Sequence, residues 1–205
     1  MKYKWLINKI DSFCRLSSSD MKLISRYRYF ILFALILTAF SACHTTEKAA
    51  GGKNRSLSEE NEKSQKLRTK YAGILGIQPE QINNTRLYAF IDAWTGTPYL
   101  YGGKNRNGID CSGFTEMLYH SVFERDISGS SKDLFIQCRP VPKTQLHEGD
   151  LVFFKIESDK ISHVGVYLTN NKFVHATVKK GVMISDLSET YYMKYYFEGG
   201  RLKEK

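Results

Sequence analysis

Three residues have the types and spacing to break an acyl bond: Cys111, His163 and His175. A thiolate is a strong nucleophile. An imidazole can take the thiol's proton and later return it to a leaving amine. A second imidazole can hold the first in one tautomer, which is triad logic with a neutral His in place of a carboxylate. Either histidine alone reads more simply as a satisfied strand residue; the pairing with a helix-start cysteine carries the chemistry. Zinc is the other reading of one Cys and two His. Structural zinc gathers its ligands in pairs roughly two to five residues apart, whereas these three are spread far wider, and no CxxC or HxxxH exists. No metal and no cofactor is expected. His44, His120 and His147 read as surface or packing residues.

Each of the three needs an element to hold it. Thr97–Phe114 reads TPYLYGGKNRNGIDCSGF, a loop marked by glycines and Lys-Asn-Arg-Asn-Gly. From Cys111 onward, Phe114, Met117, Leu118 and Val122 recur at helical spacing. Cys111 therefore opens an amphipathic helix, whose dipole is expected to favour thiolate. Free N–H groups at the helix start, with Ser112 as donor, are suited to an oxyanion. Ile161–Leu168 alternates, with His163, Gly165 and Tyr167 on one face, as a strand does. Lys172–Thr177 is a second strand after Thr169-Asn170-Asn171. A two-residue Asn-Asn turn would set Val166 opposite His175 and send the two His to opposite faces. A three-residue loop sets Gly165 opposite His175 and makes the histidines diagonal neighbours on one face. The chemistry requires the odd-length loop. The Cys helix is expected on the sheet face that holds His163.

Helices are expected at Lys66–Leu75, Thr85–Trp94 and about 111–123, and strands at about 150–155, 162–168, 172–177, 181–185 and 194–202. Helices followed by an antiparallel meander give an α+β domain, with N-terminal helices packed on a central antiparallel sheet of about five strands.

The chain has 205 residues and a net charge of +9. Residues 1–42 hold seven Lys/Arg against two Asp/Glu, so over half of that charge sits in a leader. The remainder is weakly basic, a poor case for nucleic-acid binding. Phe30–Phe40 is an eleven-residue uncharged run preceded by Lys22, Arg26 and Arg28 and followed by Ser41, Ala42 and Cys43. It is too short to span a bilayer comfortably and has the make-up of a secretory signal. The Cys after small residues resembles a bacterial lipobox, in which the thiol is acylated. Residues 1–42 are thus expected to be a lipoprotein signal, with Met21 as an alternative start. Residues 43–66 are expected to be a lipidated Cys43 and a flexible tether, and 67–205 the folded domain. Two or more acyl chains would anchor the protein firmly to the cell envelope, on the periplasmic face of a membrane, the outer one by preference. Cys14 leaves with the leader. Cys138 reads as a small buried hydrophobe, and no disulfide to Cys111 is expected.

Together, Thr97–Phe114, Glu148–Phe154 (EGDLVFF), Ser162–Leu168 and Phe173–Ala176 resemble the NlpC-type, papain-like cell-wall cysteine peptidases over roughly residues 85–200. The resemblance implies a peptidoglycan endopeptidase that cleaves stem peptides, often between D-glutamate and a diamino acid; a monomer is expected. It implies Cys111 as nucleophile, His163 as base and His175 as the polar third member. It adds Tyr99 to the oxyanion hole and places Asp110 and Ser112 in the substrate cleft; Asp110 reads equally as a helix N-cap. Asp126–Ser131 stands where many members carry Pro-Arg-Thr/Ser, so the Arg is absent. An amidase or acyltransferase on the same Cys–His pair, or a non-catalytic wall-binding lipoprotein, are the competing readings.

Overall fold

The computed structural model describes residues 48–204, with side chains from Leu57 onward. Residues 1–42, expected to be a leader and including Cys14, and Cys43 and His44 lie outside the described residues. The chain divides into two compact units, Met1–Glu59 and Glu60–Lys205. Of the first, only the helical stretch from Lys48 is described. The second holds everything that follows.

Helix α1, Lys48–Leu75, is longer than the sequence reading. The segment read as a tether is helical from Lys48 on. Its Glu, Lys, Gln and Ala content favours helix even without an apolar face, and Glu62 pairs with Lys66 one turn on, at 2.7 Å. Among the described side chains, those of its last turns gain a core side, where Tyr71, Ala72 and Leu75 are buried. Gly76, at φ 66, ends it, with Ile77 N–H reaching back to Ala72 O at 3.1 Å.

Helix α2, Thr85–Trp94, is capped by the Asn84 side chain and buries Leu87, Tyr88, Ile91 and Trp94 along one stripe. A short hairpin follows, β1 (Lys104–Asn105) and β2 (Gly108–Ile109). Helix α3, Cys111–Phe123, comes next. Helix α4, Ser131–Ile136, starts on a capping box between Ser130 and Asp133.

The main sheet has six antiparallel strands: β3 (Cys138–Val141), β4 (Leu151–Phe154), β5 (His163–Tyr167), β6 (Lys172–Thr177), β7 (Gly181–Asp186) and β8 (Tyr196–Leu202). Their order is β3-β8-β4-β5-β6-β7. The meander from β4 to β7 is as expected. Helix α5, Thr190–Tyr195, then carries the chain back so that β8 lies on the other side of β4. The strand expected from about 194 therefore starts at Tyr196. The sixth strand, β3, escapes a sequence reading because it is short and contains Pro140, which a sheet tolerates at an edge.

The two sheet faces are buried differently. Leu151, Phe153, Val164, Val166, Val174 and Ala176 face the helices and share the main core with Phe114 and Leu118 of α3. Val152, Phe154, Tyr167 and Phe173 form a smaller cluster on the other face with Leu187 and Tyr192. Alternation places His163 and His175 on this second face, beside Phe154 and Phe173. This corrects the expectation that α3 lies on the face of His163. The apolar Val164-Val166 side of β5 is the larger buried surface, and the helix covers that.

Candidate active site

The two imidazoles meet as the odd-length loop requires. Val166 pairs with Val174 and Tyr167 with Phe173. One step further, Gly165 lies opposite His175, and a Cβ on Gly165 would stand 3.2 Å from that of His175. Asn170 and Asn171 both adopt left-handed backbone, at φ 50 and 61. Lys172 N–H donates to Thr169 O while Leu168 N–H donates to Lys172 O, both at 2.8 Å. Thr169 is thus the extra residue that sets the register. The result is a 2.7 Å hydrogen bond between His163 Nε2 and His175 Nδ1. It leaves His163 Nδ1 for other work.

Cys111 is the first residue of α3 and only 7% exposed. Its sulfur lies against the backbone N–H of Val164, and against those of Ser112 and Cys111 itself. The Val164 nitrogen is two covalent bonds from the His163 Cα. So α3 covers the opposite face, yet its tip reaches β5 beside the base. A reason lies in the strand pairing. Tyr167 N–H points to β4 and Leu168 N–H to β6, so by alternation Val164 N–H points toward β6. The pairing of β5 with β6 runs only from Val166 onward, which leaves that N–H for the thiol.

The electrostatics differ from the sequence expectation in one respect. The helix start was expected to favour thiolate. Burial outweighs it and pushes the Cys111 thiol up to about 11; the Asp110 carboxylate adds to the rise, and the three N–H groups oppose it. Burial also pushes His163 down to about 4. His175 is lowered too, by burial first and by His163 second. At neutral pH the resting pair is a thiol and a neutral imidazole.

Asp110 is the N-cap of α3. It accepts from Gly113 N–H at 2.7 Å and from Ser112 Oγ at 3.0 Å, and its other oxygen accepts from Gly102 N–H at 2.8 Å. It ties the Thr97–Ile109 loop to the helix tip. Tyr99, half-buried, bridges to Ile109. Burial raises its phenol to about 12, with the Cys111 and Asp110 charges next, so the hydroxyl is a donor that stays protonated. Cys111 and Ser112 N–H have no backbone acceptor in the first turn. Cys138 is a buried free thiol on Leu134 O at 3.3 Å.

A cleft of about 520 Å³ opens over the second sheet face, with His163 and His175 in its floor and Tyr99, Val178 and Tyr191 among its walls. Ser185 and Tyr192 also line it, and both bond the far side of His175. Neither was anticipated. Ser185 sits two residues from Met183, the partner of His175 across β6 and β7, so the hairpin register could have found it. Tyr192 comes from α5, whose TYYMKY sequence gives no periodic signal.

The NlpC/P60 family model matches residues 96–201. The chain belongs to the NlpC/P60 family. Among NlpC/P60 proteins, the Escherichia coli K12 protein named Probable endopeptidase NlpC is 41% identical over 113 residues, which is 55% of this chain and 73% of that one. The Murein DD-endopeptidase MepS/Murein LD-carboxypeptidase of the same strain is 31% identical over 172 residues, 84% of this chain and 89% of that one. The solved NlpC/p60 domain of the peptidoglycan hydrolase SagA superposes with a TM-score of 0.50 at 27% identity, covering 59% of this chain and all of that domain. A Bacillus cereus NlpC/P60 structure gives 0.52 at 28% identity, covering 57% of this chain and 39% of that one. The α+β fold expected from the sequence is the fold of these NlpC/P60 structures.

Proposed function

We propose that this chain is a cysteine endopeptidase that hydrolyses peptide bonds in the stem peptides of bacterial peptidoglycan. The observation that carries the reading is the bonded His163–His175 pair at the strand where the Cys111 sulfur docks. The names of the NlpC/P60 relatives support the substrate class.

In this reading the Cys111 proton passes to His163 Nδ1 as sulfur attacks the carbonyl carbon. Because both groups start neutral, the charge forms only as the bond forms. The Cys111 and Ser112 N–H groups and the Tyr99 hydroxyl stabilise the oxyanion. His163 gives the proton to the leaving amine, then activates the water that cleaves the thioester. His175 holds His163 Nε2 and so keeps Nδ1 as the base. Asp110 sets the loop and the helix tip around this point.

The bond cut belongs to the proposal as well. The resemblance favours the D-glutamyl–diamino acid bond, whereas the name of the MepS relative denotes both a DD-endopeptidase and an LD-carboxypeptidase. Export through residues 1–42, acylation of Cys43 and attachment to the envelope complete the reading. Cys43→Ser should release the protein from membranes.

Digestion of purified muropeptides, read by mass, is the test. The wild type should split a stem or cross-bridge peptide with gain of one water, and the fragments identify the bond. Gain of an amine in place of water would mean an acyltransferase. Cys111→Ala should bind but not cut; hydrolysis retained in that variant would overturn the assignment.

A further inference from the structure

His175 does not end the polar chain. It is 1% exposed, and its Nε2 lies 3.0 Å from Ser185 Oγ on β7 and 3.3 Å from the Tyr192 hydroxyl on α5. Ser185 Oγ in turn donates to the Tyr192 oxygen at 3.2 Å. Ser185 is 4% and Tyr192 9% exposed. The Tyr192 ring is fixed edge-on against Phe154, Phe173 and His175.

We propose that Ser185 and Tyr192 are positioning residues that select the reactive tautomer of His163 through His175. The inference rests on the endopeptidase reading for its catalytic consequence. Neutral imidazole has one donor and one acceptor nitrogen, so the chain can be polarised in only two ways. In one, His163 Nε2–H donates to His175 Nδ1, and His175 Nε2–H donates to the Ser185 and Tyr192 oxygens. His163 Nδ1 is then an acceptor, ready for the thiol proton. In the other, a hydroxyl donates to His175 Nε2, His175 Nδ1–H donates to His163 Nε2, and His163 Nδ1 carries a proton and cannot act. Two features favour the first. At one end Cys111 is a protonated thiol that needs an acceptor. At the other, the Ser185 hydroxyl donates its hydrogen bond to the Tyr192 oxygen, and Tyr192 lines the cleft and can direct its own hydrogen there.

The test is nitrogen NMR on histidine-labelled protein, with activity read alongside. Wild-type His175 should show a protonated Nε2 and an unprotonated Nδ1. The Ser185→Ala/Tyr192→Phe double variant keeps the aromatic packing. It should lose that preference and lose about tenfold or more in kcat with KM little changed, while Tyr192→Phe alone should lose less. A wild-type His175 protonated on Nδ1 would overturn the inference. So would a double variant that keeps both the tautomer and kcat. If the double variant does not fold, the wild-type spectrum still decides. The spectrum does not depend on cleavage, so failure of the endopeptidase reading, seen as hydrolysis by Cys111→Ala, is recorded separately.

Discussion

His163 Nε2 and His175 Nδ1 stand 2.7 Å apart across the β5–β6 hairpin, with both rings buried. If that bond fixes the base, its loss should act on turnover rather than on binding. His175→Ala should lower kcat by up to about 10⁴-fold, the loss seen when a triad base is left in the wrong tautomer, with KM little changed. Asn reaches as far as the His Nδ1 position and can offer an acceptor there. His175→Asn should therefore keep more activity than His175→Ala. Equal loss in both, or a rise in KM alone, would mean that His175 only fills space.

The same burial makes the fold acid-sensitive. His163 binds its proton at about 4 in the folded chain, below the ordinary 6.5, and His175 is lowered as well. Between those values the unfolded chain takes up protons that the folded one refuses. Stability therefore falls as pH falls through this window, by up to about 1.4 kcal/mol per pH unit for each histidine. Thermal unfolding from pH 7 to 4 should show a steep fall in Tm, flatter in His175→Asn. At the alkaline end the sign reverses. Cys111 ionises at about 11 when folded against an ordinary 9, so stability should drop again as pH rises through that interval. A Tm that is flat from pH 7 to 4 would contradict the buried neutral pair.

How much of this was legible in the sequence differs by element. Helix α3 and strand β6 are found at their expected bounds, because apolar spacing and alternation are local signals. The odd-length loop could be deduced because the period-two alternation of a strand puts both imidazoles on one face only when the loop length is odd. The side of the sheet taken by α3 could not. His163 and Val164 point to opposite faces, and the choice between them depends on which face the whole chain buries better. Nor could the state of the Cys111 thiol be read. A helix start argues for thiolate, and only the packing shows that burial wins. Ser185 and Tyr192 join the site through the β6–β7 register and the α5 crossover, which are tertiary facts.

Gly165 offers a third check on the hairpin. It pairs with Val152 on β4. A Cβ there would come 2.7 Å from the Phe173 ring, 3.0 Å from Val174 O and 3.2 Å from the His175 Cβ. No flexible side-chain end is available to give way to all three. Gly165→Ala should cost about 1–3 kcal/mol, as overpacking does. It should also displace His175, and a misplacement of about 1 Å can cost about 10²-fold in rate. Thermal melts and kcat measured together would test this. A variant with lowered Tm but full kcat would show that the histidine pair tolerates the shift.

Asp110 separates structure from electrostatics at the nucleophile. Its side chain caps α3 and accepts from Gly102, Ser112 and Gly113, and its charge raises the Cys111 thiol. Asn caps a helix about as well as Asp, so Asp110→Asn should keep the cap while removing the charge; its amide nitrogen cannot accept from Gly102 N–H, so that loop bond is lost. The thiol should then ionise at lower pH, and at about pH 9, the ordinary thiol value, iodoacetamide should alkylate Cys111 several-fold faster than in the wild type. Asp110→Ala loses the cap as well as the Gly102 bond and should cost about 1 kcal/mol or more in stability beyond Asp110→Asn. Slower alkylation of Asp110→Asn would mean that the carboxylate aids the thiolate, through the Ser112 hydroxyl or the loop that it holds, and the sign assigned to its charge would be wrong.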